Sequence, residues 1–156
     1  MSARKLSLPS LLLLTVAGMA IVDQAQADDV MVKFPAGYKN GVHYASVNRG
    51  ATREELFISQ DAIDAVRNGG EMPSGTVIMM EDYRNDKLYR YIVMEKRAGW
   101  GGRHAPEQRT GEWEFQWFNP DRSVKTDENL NRCRSCHISQ ASQDYVFTIN
   151  QIRRSK

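Results

Sequence analysis

Two cysteines and a histidine near the C-terminal end are the residues with the clearest chemistry. They stand in the run Cys133-Arg134-Ser135-Cys136-His137, a Cys-x-x-Cys-His pattern. Residues three apart share a helix face, so both sulfurs could form thioethers with the vinyl groups of one haem. His137 could bind the iron through one ring nitrogen while the other donates to a backbone carbonyl or carboxylate. The pattern therefore predicts one covalent haem c, with His137 as its metal ligand.

Three other interpretations of the two cysteines are weaker. A structural zinc site needs four ligands, and the remaining histidines, His43 and His104, do not form a pair. A thioredoxin-like motif belongs in an alternating βαβ pattern, which is absent from the sequence. A disulfide across two intervening residues would close a very small loop. Haem attachment is the favoured interpretation.

The first residues have the pattern of a secretory signal. Arg4 and Lys5 precede an apolar stretch from Leu6 to Val22, and Ala25-Gln26-Ala27 is a small-x-small cleavage pattern. A membrane anchor is the alternative, but polar residues and a proline interrupt a stretch that barely reaches the length of a bilayer span. We expect residues 1–27 to be a cleaved signal peptide, and residues 28–156 to be one periplasmic domain without a membrane anchor.

The charge of the mature chain excludes one class of function. Of 21 basic and 19 acidic residues, 19 and 18 remain after residues 1–27 are removed. These charges are evenly spread, whereas a nucleic-acid-binding protein has a basic stripe or face. We expect no nucleic-acid partner.

Hydrophobic periodicity predicts an α+β domain with an antiparallel sheet and a few short helices. Strands are expected over Thr76–Tyr83 and Leu88–Arg97, which a short polar link should join as a hairpin. Glu112–Trp117 alternates aromatic and polar residues, as a half-buried strand does. Val42–Val47 and Tyr145–Ile149 are weaker strand candidates.

Two helices are expected. Ser59 can cap a short helix that buries Ile63 and Val66 and ends at Gly69. A second helix should run from near Asp127 through the cysteines to about Gln140, with Leu130 as a core anchor. The stretch from Gly99 to Thr110 has no periodicity and is predicted to be a loop.

Several motifs together resemble the cytochrome P-460 family, which includes the cytochromes c′-beta, over most of residues 34 to 149. They are the haem motif and the runs Pro73-Ser74-Gly75-Thr76-Val77, Met94-Glu95-Lys96-Arg97-Ala98-Gly99-Trp100-Gly101, Gly111-Glu112-Trp113-Glu114-Phe115 and Asp144-Tyr145-Val146-Phe147-Thr148. The resemblance implies a haem held against an antiparallel sheet, often in a homodimer, and an iron that is five-coordinate or responds to gases.

The sequence departs from the family at one functional position. Members that oxidise hydroxylamine carry a lysine bonded to the porphyrin, and the strand after Thr76 aligns Met80 with that lysine. Lys87 and Lys96 are expected to be ordinary surface residues. The chain therefore looks more like the c′-beta branch, whose distal pocket is capped by aromatic side chains. The candidates for these aromatic side chains are Phe34, Phe57 and Trp100.

The sixth iron position has two interpretations. Met80 or Met94 could ligate the iron and favour electron transfer, but methionine is also a common gap-filler in buried strands. An open position is preferred, and it predicts binding of nitric oxide or another small gas.

Three functions from different classes follow. The first is a gas-binding or redox cytochrome without turnover, and the second is an electron shuttle with a redox partner protein. The third is an enzyme that oxidises hydroxylamine, another small nitrogen compound or peroxide. Such an enzyme needs a general base near the haem, and the available groups are Glu81, Asp82, Glu95 and His104.

Overall fold

A five-stranded antiparallel sheet forms the centre of the protein, for which a computed structural model describes residues 32–155. Its strands lie side by side in chain order, each paired with the next. They are β1 (Val42–Arg49), β2 (Thr52–Ile58), β3 (Val77–Arg84), β4 (Lys87–Lys96) and β5 (Trp113–Phe118). The α+β class is confirmed. The predicted signal peptide lies outside the described residues.

Short turns set the register of two hairpins. Asn85 and Asp86 join β3 to β4, and both have positive φ, at 48° and 60°. Asparagine and aspartate tolerate this left-handed conformation, and two such residues match the twist of the flanking strands. Gly50, at φ 60°, takes the corresponding role between β1 and β2. The predicted hairpin is therefore confirmed.

Helix α1 (Gln60–Arg67) has the start and stop that its sequence predicts. The Ser59 hydroxyl accepts a hydrogen bond from the Ala62 N–H at 3.3 Å, which satisfies one free donor of the first turn. Ile63 and Val66 are buried, and Gly69 beyond the end has φ 78°.

Both faces of the sheet are covered by apolar packing. Because side chains alternate along a strand, Ile78 and Met94 face one cluster, while Met79 and Val93 face the other. Helix α1 and the C-terminal helix Ile149–Arg154 pack on the first face. Residues near Phe34 and Trp100 cover the second face. The continuous burial expected of β3 follows from this two-sided cover.

Strand β5 is buried on both sides, which corrects the half-buried strand that its alternation predicts. Trp113, Phe115 and Trp117 are buried as expected, but Glu114 and Gln116 are each only 5% exposed. The Glu114 carboxylate is covered because it forms ion pairs with His104 and Arg134. Burial of a paired carboxylate leaves no signature in the hydrophobic pattern.

The C-terminal region differs most from its prediction. Helix α2 (Asn131–His137) starts later than expected and continues as a 3₁₀ segment over Ile138–Gln143. Leu130 is only partly buried, so it is not a core anchor. No strand forms over Tyr145–Ile149, since Tyr145 has φ 60° and Ile149 begins α3 (Ile149–Arg154). The predicted strand there is wrong.

Strand β2 was not predicted at all, and it lies beside β3 near the centre of the sheet. Its central residues Arg53, Glu54 and Glu55 are charged, which hides the period-two pattern of a strand. The predicted loop from Gly99 to Thr110 contains two single 3₁₀ turns. Within residues 32–155, no helix has the length and apolarity needed to cross a bilayer.

Candidate functional site

Helix α2 carries both cysteines of the motif. Cys133 is partly buried and Cys136 is exposed, and both are free thiols. The indole N–H of Trp117, on β5, donates to the Cys133 sulfur at 3.0 Å. Burial raises the pKa of the Cys133 thiol, and the hydrogen bond from Trp117 opposes that rise. The first cysteine is thus held against the sheet while the second faces solvent.

His137, the last residue of α2, has one ring nitrogen already engaged. Its Nδ1 lies 2.6 Å from the carbonyl oxygen of Tyr145. A carbonyl oxygen can only accept, so Nδ1 carries the proton and Nε2 keeps a free lone pair. Burial lowers the pKa of His137, and the hydrogen bond to Tyr145 raises it to a smaller extent. A neutral imidazole with Nε2 available is the form that ligates a metal.

Two phenylalanine rings pack against the imidazole of His137. The ring centroid of Phe115 lies 4.8 Å from that of His137, and the Phe147 centroid lies at 5.0 Å in an edge-to-face arrangement. Phe115 comes from β5, whereas Phe147 follows the turn after α2 and is 51% exposed. Packing by both rings limits rotation of the imidazole about its Cβ–Cγ bond.

A cavity of about 550 Å³ opens beside His137 and Cys136 on the first face of the sheet. This volume falls within the range of small-molecule sites, roughly 300–1,000 Å³. Most of its lining is apolar, and the side chains come from β1, β3, β4, β5 and the segment after α2. The apolar members are Val47, Ile78, Met80, Ile92, Met94, Phe115, Val146 and Phe147.

Both methionines considered as iron ligands lie on this cavity. Met80 is partly buried and Met94 is 6% exposed, and each lines the wall together with His137. Met79 is fully buried in the cluster on the opposite face. The alternation expected along β3 is confirmed, and it directs Met80 toward the cavity.

The polar lining of the cavity was missed from the sequence. Arg49 and Glu54 form an ion pair at the ends of β1 and β2, and both line the cavity. Thr148 and Gln151 add a hydroxyl and an amide. Glu54 belongs to the strand that the sequence did not predict, so only the register between β1 and β2 could have indicated its position.

None of the four groups considered as a general base lines this cavity, and each is bound elsewhere. Glu81 accepts hydrogen bonds from two tyrosines, Asp82 pairs with two arginines, Glu95 pairs with one arginine, and His104 pairs with a carboxylate. The partners are Tyr38 and Tyr83 for Glu81, Arg84 and Arg90 for Asp82, Arg97 for Glu95, and Glu114 for His104.

The aromatic candidates for a distal cap also lie elsewhere. Phe34, Phe57 and Trp100 pack in the cluster on the second face, away from His137. They do not line the cavity. Phe115 and Phe147 are the aromatic side chains beside the imidazole instead. Phe57 could not be placed from the sequence because β2, which carries it, was not predicted as a strand.

Lys96 is not the surface residue that its sequence context suggested. It is 7% exposed at the end of β4, and its ammonium group contacts both carboxylate oxygens of Asp144, at 3.0 and 2.8 Å. Lys87, in the turn region, is exposed as expected.

The described residues contain no second candidate metal site. Between residues 32 and 155, no three His, Cys, Asp or Glu side chains are grouped so that they could hold a metal ion. A metal bound at His137 would therefore have to bring its own equatorial donors, as the iron of a porphyrin does.

Comparison with known proteins identifies the family. No curated protein matches the chain significantly. The family model described as Cytochrome P460 matches residues 35–148, which is most of the chain and includes every residue of the motif and every cavity-lining residue except Gln151. The chain therefore belongs to the Cytochrome P460 family, whose members are haem c-type cytochromes.

Proposed function

We propose that the mature protein is a periplasmic cytochrome with one haem, attached through Cys133 and Cys136 and ligated by the Nε2 atom of His137. The observation that carries the proposal is the hydrogen bond from His137 Nδ1 to the Tyr145 carbonyl beside an apolar cavity. It leaves one imidazole nitrogen free and fixes the ring at the cavity wall.

The residues present fit such a group. The two thiols are three residues apart on α2, and neither is used in a disulfide. The cavity is apolar, as the flat face of a porphyrin requires, and its volume of about 550 Å³ suits a large planar ligand. Cys136 is exposed, which supports a haem edge that reaches the surface, where an electron can be exchanged.

Gas binding follows from the character of the cavity wall. A bound haem would supply an iron that can bind a neutral diatomic ligand and can switch between the ferric and ferrous states. Ile78, Ile92 and Met94 offer no hydrogen-bond donors, so they favour nitric oxide or carbon monoxide over anions. The nearest charges, Arg49 and Glu54, neutralise each other in an ion pair.

The proposal is tested on protein matured in a periplasm competent for cytochrome c assembly. Intact mass should show one haem on the wild type, and none on the Cys133→Ala/Cys136→Ala double variant. His137→Ala should keep the added mass but change the absorption spectrum. Nitric oxide should alter the spectrum of the reduced wild type rapidly. The proposal is contradicted if the wild type carries no added haem mass, or if nitric oxide leaves the absorption spectrum of the reduced protein unchanged.

A second candidate function rests on Glu54. It is the one carboxylate among the described residues lining this cavity, and its side chain is 14% exposed. A partly buried carboxylate can take a proton from a small nitrogen compound or peroxide. If the wild type oxidises hydroxylamine or peroxide and Glu54→Gln abolishes this activity, the enzyme function is supported. Wild-type activity no greater than that of free haem excludes it.

Location and assembly complete the proposal. Export to the periplasm is supported by the signal pattern of residues 1–27, and a homodimer and a redox partner protein are supported by resemblance to the family. Fractionation of cells that make the full chain tests the first point. Light scattering of the purified protein tests the dimer.

A further inference from the structure

The turn that follows α2 has an unusual backbone. Asp144 and Tyr145 are consecutive non-glycine residues with positive φ, at 51° and 60°. The left-handed region is unfavourable for residues with a Cβ, and tyrosine has no side-chain hydrogen bond that compensates. Such a conformation persists only where the surrounding structure holds it. The carbonyl of Tyr145 is the group that accepts from His137 Nδ1.

A buried charge cluster holds this turn. The Lys96 ammonium binds both oxygens of the Asp144 carboxylate, at 3.0 and 2.8 Å, and the Trp113 indole N–H donates to Asp144 Oδ1 at 3.2 Å. Lys96 and Trp113 are cross-strand neighbours on β4 and β5. The side chain of Lys96 is 9% exposed and that of Asp144 is 18% exposed, so water screens the pair little. The turn is thus bound to the rigid sheet.

The Tyr145 side chain also packs in a space that depends on a glycine. A Cβ on Gly111 would lie 2.7 Å from the Tyr145 ring, so a glycine is needed there for the ring to pack beside the start of β5. The Tyr145 N–H donates to the Gln140 carbonyl at 2.8 Å. The position of the Tyr145 carbonyl is therefore determined from both sides.

We propose that Lys96, Asp144 and Trp113 are positioning residues for the iron ligand, because they fix the Tyr145 carbonyl that orients and polarises the His137 imidazole. This inference rests on the proposed function, in which His137 Nε2 binds iron. A strong hydrogen bond from Nδ1 increases electron donation by Nε2 and so stabilises ferric iron. Loosening the cluster weakens that bond without touching the haem, the cysteines or the histidine.

The test compares variants of the full haem-loaded protein by two readouts, the iron–histidine stretching frequency of the reduced form and the reduction potential. Asp144→Asn removes the nearer of the two carboxylates that pair with Lys96, the other being the exposed Glu71, yet asparagine tolerates the left-handed conformation. Lys96→Met removes the cation. Both should lower the stretching frequency and raise the potential. Lys96→Arg keeps the charge, and both values should remain near those of the wild type.

Glu81→Gln is the matched control. Glu81 is also a buried carboxylate, 4% exposed, whose Oε1 lies 3.2 Å from the Lys39 ammonium. It accepts a hydrogen bond from Tyr83 at 2.9 Å and has no contact with the segment around His137. This variant should lose stability as Asp144→Asn does, but it should change neither readout. Equal values in Asp144→Asn, Lys96→Met and Glu81→Gln would overturn the inference.

Trp113→Phe provides a further test if Asp144→Asn and Lys96→Met do not yield haem-loaded protein. It removes the donor to Asp144 Oδ1 and part of a fully buried ring, but leaves the Lys96–Asp144 pair. Both readouts should shift in the same direction by less, and no shift counts against the inference. Failure of the proposed function looks different. In that case the wild type itself lacks an iron–histidine stretch, and His137→Ala leaves the spectrum unchanged.

Discussion

Replacing Arg90 tests whether burial or the number of hydrogen bonds decides how strongly an ion pair stabilises this fold. Asp82 is 1% exposed and binds two arginines. Arg84 donates two hydrogen bonds to it, at 3.0 and 3.1 Å, and Arg90 donates one, at 2.8 Å. The Arg84 side chain is 48% exposed and that of Arg90 is 14% exposed. Arg90 also lies 3.9 Å from the ring centroid of Trp117.

Burial should decide the outcome. Arg90→Met breaks the buried pair with Asp82, a second pair with Glu128 and a cation–π contact, and should lower the free energy of unfolding by about 3 kcal/mol. Arg84→Met removes a largely solvated partner and should lower it by about 0.5 kcal/mol. Urea unfolding followed by circular dichroism measures both, with unchanged m-values as the condition for comparison. A loss in Arg84→Met equal to or above that in Arg90→Met would refute the reasoning.

Three further predictions concern the cavity, acid stability and the turn. Met80→Leu and Met94→Leu should each lower the free energy of unfolding by less than about 1.5 kcal/mol. Both should leave the ferric absorption spectrum unchanged, whereas loss of a sulfur–iron band in either variant would identify that methionine as an iron ligand. Burial raises the pKa of Glu81, but hydrogen bonds from Tyr38, Tyr83 and Lys39 bring it below 4.5. Its stabilisation is complete above that pH and is lost as the pH falls through the lowered pKa. Glu81→Gln should therefore lose less stability than the wild type below pH 4.5, and parallel acid titrations would contradict this. Gly111→Ala meets the Tyr145 ring and should cost about 2 kcal/mol. In the control Gly50→Ala the backbone has a similar φ and the new Cβ meets no atom, so the loss of stability should be about 1 kcal/mol. Equal losses of stability in the two variants, measured by thermal unfolding, would contradict a clash with the Tyr145 ring.

Local signals in the sequence were enough to predict much of the sheet. β3 begins with a continuous apolar run, β4 is rich in Tyr, Ile and Val, and two residues that accept positive φ join them, so both the strands and their turn could be predicted. The cap of α1 was equally local, since Ser59 stands directly before its first turn. The cysteine–histidine motif predicted that the second ring nitrogen donates to a backbone carbonyl or a carboxylate, and the acceptor is the Tyr145 carbonyl.

The polar part of the site depends on contacts distant in sequence, and for that reason it could not be predicted. Glu54 reaches the cavity through the register of β2, which has no apolar alternation. Lys96 is buried because Asp144, 48 residues later, neutralises it. The turn at Asp144 overrides the strand propensity of Tyr145–Ile149, since its anchors lie on the sheet. Such pairings leave no periodic signal in a single sequence.

The chain order of the strands has a consequence for how the cofactor site is completed. Every strand pairs with its neighbour in sequence, so the sheet can form from local contacts as far as Phe118. The last segment joins it through distant contacts such as the hydrogen bond between the Tyr44 and Thr148 hydroxyls, which are 104 residues apart. Closing that loop is the entropically slow step. The part of the cavity wall that contains Val146, Phe147 and Thr148 therefore closes last, after the strands that form the rest of the wall.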